Sequence, residues 1–220
     1  MSTAPLKHLV RINARSLPET TDPECEFKYI DIGSVGRGVL LEEPQRLNFA
    51  TAPSRARRLL RTGDTIISTV RTYLRAVWPI HDPSFDLVAS TGFAVLTPGS
   101  RLDARYLGWL AQSDLVVEEI VARSVGVSYP AINALEIGRL RVPAIPLDDQ
   151  RAIADFLDAE TARIDALIAK KRRLIAALRE RRAVATLAGV SGDLTFPGAV
   201  RVEARVPWLS TCFYNYTHVT

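Results

Sequence analysis

The chain has 220 residues, 47% of them hydrophobic, and a formal charge of +4. That length supports one core of moderate size, and so mild a basicity makes the distribution of charge more informative than its total. Two distant cysteines, Cys25 and Cys212, argue against a disulfide framework or a zinc site. No apolar run approaches the ~20 residues of a membrane span, and MSTAPLKHLVRINAR lacks the apolar centre of a signal peptide, so a cytoplasmic protein is expected.

Residues 6–26, with Pro18 and Pro23, read as irregular. Phe27 to Ile32 (FKYIDI) alternates apolar and polar residues and predicts a strand. It runs into Gly33 to Gly38 (GSVGRG). The spacing is GxxGxG rather than GxGxxG, and no Lys-Ser/Thr follows, so a turn with Arg37 at its tip is expected rather than a phosphate loop.

Residues 54–78 (SRARRLLRTGDTIISTVRTYLRAVW) concentrate charge. Arg55, Arg57, Arg58, Arg61, Arg71 and Arg75 stand against Asp64 alone, a balance of +5. Gly63-Asp64 signals a turn and Thr65 to Val70 a strand. Arg71, Thr72, Tyr73 and Arg75 then mix cations, a hydroxyl and an aromatic ring, the side chains that meet phosphates and base edges. Such a cluster serves either as a solvated face or as a nucleic-acid surface.

Asp86 to Leu96 predicts one or two buried strands around Thr91-Gly92. Asp103 and Asp114 are candidate N-caps for two helices, ARYLGWLAQ and LVVEEIVARS. Gly126 to Asn133 (GVSYPAIN) reads as a loop and Arg139 to Val142 as a short strand.

From Pro146 to about Gly189 the sequence predicts one long helix. No Pro or Gly falls between Leu147 and Ala188, acids open it, and Gly189 is a natural stop. Ile153, Leu157, Ile164, Leu167, Leu174 and Leu178 form a 3,4-spaced seam, widened by Phe156, Ile168 and Ile175 and interrupted by Glu160, Lys171 and Arg181. Residues 148–165 carry a balance of −4 and residues 170–182 a balance of +6. This polarity suits an antiparallel partner of the same polarity and penalises a parallel one. The competing reading is a solvated helix packed on its own domain. Beyond Gly189, Val200 to Val206 alternates like a strand and Cys212 to Tyr216 is aromatic; this tail either packs on the globule or continues into a longer chain.

The order of these segments resembles one half of a specificity subunit of a type I restriction-modification system. The resemblance rests on FKYIDIGSV, SRARRLLRTGDTIISTVRTYLRAVW, ASTGFAVLTP, RYLGWLAQS, GVSYPAINALEIGRLRVPAIPL and the helix-start signature PLDDQRAIADFLD. It implies an α+β target-recognition domain over residues 1–145, a spacer helix over 146–189 and a tail over 190–220. In such subunits two recognition domains joined by antiparallel helices each read part of a split DNA target. Catalysis belongs to partner chains, modification subunits with S-adenosylmethionine and restriction subunits with ATP and Mg, so this chain is expected to hold no cofactor and to be no enzyme. One domain and one helix stand here where a full subunit has two of each, which makes a homodimer the expected remedy.

The resemblance assigns no base contact. The DNA-facing candidates come from chemistry: Arg37, Arg71, Thr72, Tyr73, Arg75, Ser128 and Tyr129 for bases, and Arg55, Arg57 and Arg58 for phosphates. Each is equally a residue type found on ordinary surfaces and in ion pairs. Two rival functions stand beside this one. A metal nuclease needs clustered carboxylates and usually a Lys, but the globule has only Lys7 and Lys28, and His8, His81 and His218 have no triad or ligand spacing. A pure assembly protein would use the helix without touching DNA.

Overall fold

Alternation along the strands sorts the apolar side chains into layers. In the computed structural model, which describes residues 2–81 and 86–191, strands β6 (Thr65–Ser68) and β9 (Phe93–Pro98) turn successive residues to opposite faces. Ile67, Ala94 and Leu96 point into one core, and Ile66, Phe93 and Val95 into another. Their sheet also contains β2 (Val10–Ile12) and β7 (Val77–Pro79), in the order β2-β9-β6-β7, with all pairs antiparallel.

A second sheet of four has the order β4-β3-β8-β5, from β3 (Glu26–Ile30), β4 (Gln45–Asn48), β5 (Ala56–Leu60) and β8 (Leu87–Ser90). Strands β3 and β8 run parallel; the other pairs are antiparallel. Ile30, Leu60, Leu87 and Ala89 face the first sheet and close the middle core, while Phe27, Tyr29, Ala56 and Val88 form a third cluster. On the far side of the first sheet lie α1 (Ala104–Gln112), α2 (Asp114–Ala122) and α3 (Ala134–Arg139), packed through Leu107, Leu110, Val117, Ile120 and Ile137. The fold is α+β, as the sequence predicts.

Strands β1 (Thr3–Pro5) and β10 (Arg141–Pro143) pair antiparallel, which ties the chain start to the segment before the long helix. This corrects the reading of the N-terminal segment as irregular, since residues 10–12 also belong to a sheet. Three-residue strands are too short for alternation to declare them, and their partners are remote in sequence. Helix α3 also escapes the sequence reading. Six residues with an internal Gly138 give little periodicity, and only the Asn133 cap on the Leu135 amide marks its start. The expected strand at Arg139 to Val142 therefore begins two residues late. Asp103 caps α1 as expected, accepting from the Arg105 and Tyr106 amides, but α2 is capped one residue before Asp114, at Ser113.

The long helix α4 spans Leu147–Ser191. It passes through Gly189 rather than stopping there, because an isolated Gly costs a helix only about 1 kcal/mol. The chain divides into two units, Met1–Ala162 and Arg163–Thr220. In the first, the opening turns of α4 are bound to the globule.

Gln150, only 3% exposed, shows why the helix-start signature carries a glutamine. Its amide accepts from the Asp103 amide at 2.8 Å and donates to the carbonyls of Arg101 (3.0 Å) and Ile145 (2.9 Å). Two turns on, Asp158 accepts from the Trp109 indole at 2.8 Å and from Arg105 at 3.1 Å, and Asp155 pairs with Arg105 at 2.7 Å. These carboxylates, Asp155 first, hold the Arg105 guanidinium above the ordinary arginine range.

In the second unit, Ile164, Leu167, Ile168, Leu174, Ile175 and Leu178 are 42–55% exposed. Among the described residues no helix is long and apolar enough to cross a membrane. The readings of a strand at Val200 to Val206 and an aromatic segment at Cys212 to Tyr216 lie outside the described residues.

Candidate nucleic-acid interface

The Arg-rich stretch after β6 is held in a conformation the sequence does not announce. Arg71 (φ 51°) and Arg75 (φ 53°) both adopt the left-handed backbone region and frame a single 3-10 turn, Thr72–Leu74. For residues with a Cβ this geometry costs roughly 1–2 kcal/mol each, so the surrounding bonds must hold it. Thr72 is buried, and its hydroxyl donates to the Ser124 Oγ at 2.7 Å; Ser124 in turn donates to the Ile120 carbonyl. The Ser68 amide donates to the Ala76 carbonyl across the turn, and the Ser68 hydroxyl to the Val70 carbonyl.

The loop after α2 meets this turn. Val125 and Ala131 exchange backbone hydrogen bonds at 2.9 and 3.0 Å, closing residues 126–130 into a loop. Ala131 also bridges Val70, and the Ile132 amide donates to the Thr69 carbonyl. At the loop's start Gly126 has φ +119°, and a Cβ there would lie 3.0 Å from the Tyr129 carbonyl oxygen, so only glycine fits without displacing backbone. The result places Arg71 over the Tyr129 ring, 5.1 Å from its centroid. Tyr73 (53%), Tyr129 (66%) and Val127 (101%) stand exposed around this pair, with Ser128 beside them.

The structure thus brings Arg71 and Tyr129 together from two segments that the sequence lists separately, with Tyr73 and Ser128 exposed on the same two segments. Thr72 stands beneath that pair as its anchor, with the hydroxyl consumed. Arg75 is turned to Glu118 at 2.6 Å. Arg37 does not project from a tip. It folds back to donate to the Gln112 carbonyl at 2.8 Å and pairs with Asp114 at 2.7 Å. Asp114 and Glu118 lie one turn apart on α2, so one face of that helix receives both guanidiniums. Sequence reading took Asp114 only as a helix cap and passed over Glu118 and Ser124. The i,i+4 acid spacing on α2 was the available signal.

Arg55, Arg57 and Arg58 lie on the second sheet, on and beside β5. Arg55 donates to the Tyr29 hydroxyl and pairs with Asp31, each at 3.1 Å; Tyr29 chiefly, then Asp31, raises its pKa. It lines an open cleft of about 270 Å³ with Asp31, Glu42 and Glu43, an acidic wall unsuited to phosphate. Arg57 lies over the Phe49 ring at 4.8 Å. Arg58 is half-buried, its Nε has no partner among the described residues, and burial lowers its pKa. Arg55 and Arg57 thus have local structural ties, and Arg58 is held back by burial.

No family model matches the sequence, and no curated protein does. Solved structures do. The HsdS subunit from Thermoanaerobacter tengcongensis is 26% identical with a TM-score of 0.69, over 91% of this chain and 51% of that one. A chain from work on complex assembly and conformational transition of the type I R-M system gives the same identity, TM-score and coverage. The type I restriction-modification S subunit from M. genitalium, at 16% identity and a TM-score of 0.50 over 76% of this chain, shares the fold. This chain spans about half the length of the subunits it matches. In sequence motifs and in fold the chain is similar to the specificity subunits of type I restriction-modification systems, over about half of their length.

Proposed function

We propose that this chain reads DNA sequence for a type I restriction-modification complex. The observation that carries the reading is the Arg71–Tyr129 stack, set among exposed Tyr73, Val127 and Ser128 on two mutually anchored segments. A guanidinium held over a ring retains its fork of donors for guanine O6 and N7 or for phosphate, and loses less freedom when it binds. Ser128 and Tyr73 add hydroxyls, and Val127 adds an apolar tip suited to a thymine methyl. Arg37, Arg75, Arg55 and Arg57 are secondary candidates that would first have to leave the partners described above, and Arg58 one that would have to leave its half-buried position.

In this reading the chain itself is not the catalyst. Modification subunits carrying S-adenosylmethionine methylate adenine, and restriction subunits using ATP and Mg cleave; both dock on the cytoplasmic assembly that this chain nucleates. Two copies joined antiparallel through Ile153, Leu157, Ile164, Leu167, Leu174 and Leu178 supply the two recognition globules a split target requires. The exposure of Ile153, Ile164, Leu167, Leu174 and Leu178 along α4, with Leu157 half-buried among them, supports that pairing.

The test is DNA binding by the chain across a salt series. Phosphate neutralisation makes affinity fall steeply and linearly on logarithmic axes. Binding with that slope, and with sequence preference in a selection experiment, is the expected result. A chain that dimerises but retains no DNA at low salt would instead be an assembly protein.

A further inference from the structure

The apolar seam of α4 contains interruptions that a homodimer has to accommodate. Ile153, Leu157, Glu160, Ile164, Leu167, Lys171, Leu174 and Leu178 follow one another at alternating spacings of four and three, the a and d positions of a heptad. In an antiparallel pair each a residue lies in a layer with a d residue of the other helix, so permitted registers differ by whole heptads. Few registers keep the seam paired, and they can be compared layer by layer.

In one register Ile153 meets the second copy's Leu178, Leu157 its Leu174, Ile164 its Leu167 and Glu160 its Lys171. Two-fold symmetry repeats all four layers. Every apolar residue then faces an apolar residue, and the two charges inside the seam face each other. Sliding one heptad in either direction destroys this. One slide sets Glu160 opposite Leu178, Leu167 opposite Lys171 and Leu157 opposite Arg181. The other sets Ile164 opposite Glu160 and Ile153 opposite Lys171. A charge opposed by leucine gains no opposite charge across the interface, so these registers are less favourable than the one in which Glu160 and Lys171 face each other.

The same register accounts for where the paired segment ends. The next layer would set Arg181 opposite the second copy's Gln150, and Gln150 is buried in its own globule through the bonds to Arg101, Asp103 and Ile145. Ile153, one turn later, is 40% exposed and begins the free face. The acidic block of one helix also lies along the basic block of the other.

Building on the homodimer reading above, we propose that α4 pairs with a second copy of this chain in this one register, and that Glu160 against the second copy's Lys171 selects it. The self-complementarity of the layers is what identifies the occupant as an identical copy rather than an unrelated helix.

The test uses the full chain with Cys25 and Cys212 replaced by Ser. Separately purified Leu157→Cys and Leu174→Cys chains, mixed and oxidised, should give a covalent dimer. Either chain alone should not, since like positions lie 17 residues out of step, about 25 Å by helical rise. Mixed Ile164→Cys and Leu174→Cys chains should also fail, being about 10 Å out of step. If the second mixture crosslinks and the first does not, the register is overturned while the antiparallel pair stands. If all variants and the parent chain are monomeric, both are overturned. Charge reversal is the second arm. Glu160→Lys alone and Lys171→Glu alone should each weaken the dimer by about tenfold, two pairs being lost per dimer, and the double variant should recover the parent affinity. Absence of recovery would overturn the selecting role of the pair.

Discussion

The hydroxyl of Thr72 donates to that of Ser124 at 2.7 Å, joining two segments 52 positions apart and seating the Arg71 turn on the end of α2. Both residues are hydrogen-bonded parts of the support beneath the exposed Arg71–Tyr129 pair. Replacing Ser124 by Ala should cost about 1 kcal/mol of stability by denaturant unfolding and weaken DNA binding without changing which bases are preferred. A changed preference would place Ser124 at the DNA.

Arg71 should be the most sensitive of the arginines. Its replacement by Ala should relax specificity at one position by ~1–3 kcal/mol if it reads a base, or reduce the salt slope by about one unit if it meets a phosphate. Arg75, tied to Glu118, should have the smaller effect, and Arg179 and Arg182 on α4 the smallest. Equal losses at all four positions in a binding titration would contradict this placement.

Releasing the tied guanidiniums offers a converse measurement. In the Asp114→Asn and Glu118→Gln double variant, Arg37 and Arg75 lose their carboxylates. Non-specific DNA affinity at low salt should rise severalfold, because two negative charges are gone and two cations are freed. The individual ion pairs are exposed, so stability should change by under about 1 kcal/mol.

Gln150 should be costly to lose although it touches nothing but its own chain. Gln150→Leu strands the Asp103 amide and two carbonyls in a buried place, at about 1–3 kcal/mol in denaturant unfolding. Asp148→Asn, at an exposed position two residues earlier, should cost less than about 0.5 kcal/mol.

Target symmetry follows from pairing two identical chains. Two copies related by a two-fold axis present one reading surface in opposite orientations, so the site should be an interrupted palindrome. Deleting residues 160–173, two heptads or about 21 Å of helix, keeps the Ile153–Leu178 and Leu157–Leu174 layers. It should shorten the unread spacer and leave the half-sites unchanged in binding-site selection. An unchanged spacer would refute the two-fold arrangement.

Much of this protein was determined locally. The run without Pro or Gly from Leu147 to Ala188 specifies a helix whatever surrounds it, and the alternating FKYI and the β-branched TIIS specify strands, because these signals are carried by neighbouring residues. The Asp103 cap and the limits of α1 were equally legible. Tertiary structure decided whatever depends on remote partners. Strands β1, β2 and β10 exist only by pairing across the length of the globule, and β8 and β9, adjacent in sequence, enter different sheets. The candidate site was half legible. Arg71, Tyr73, Ser128 and Tyr129 could be named as suitable chemistry, but only the Val70–Ala131 bridge and the Thr72–Ser124 bond bring their two segments together. Which arginines remain for a ligand was likewise beyond the sequence. A guanidinium's availability depends on the nearest carboxylate in space, and Asp114 and Glu118 lie 77 and 43 positions from the cations they hold.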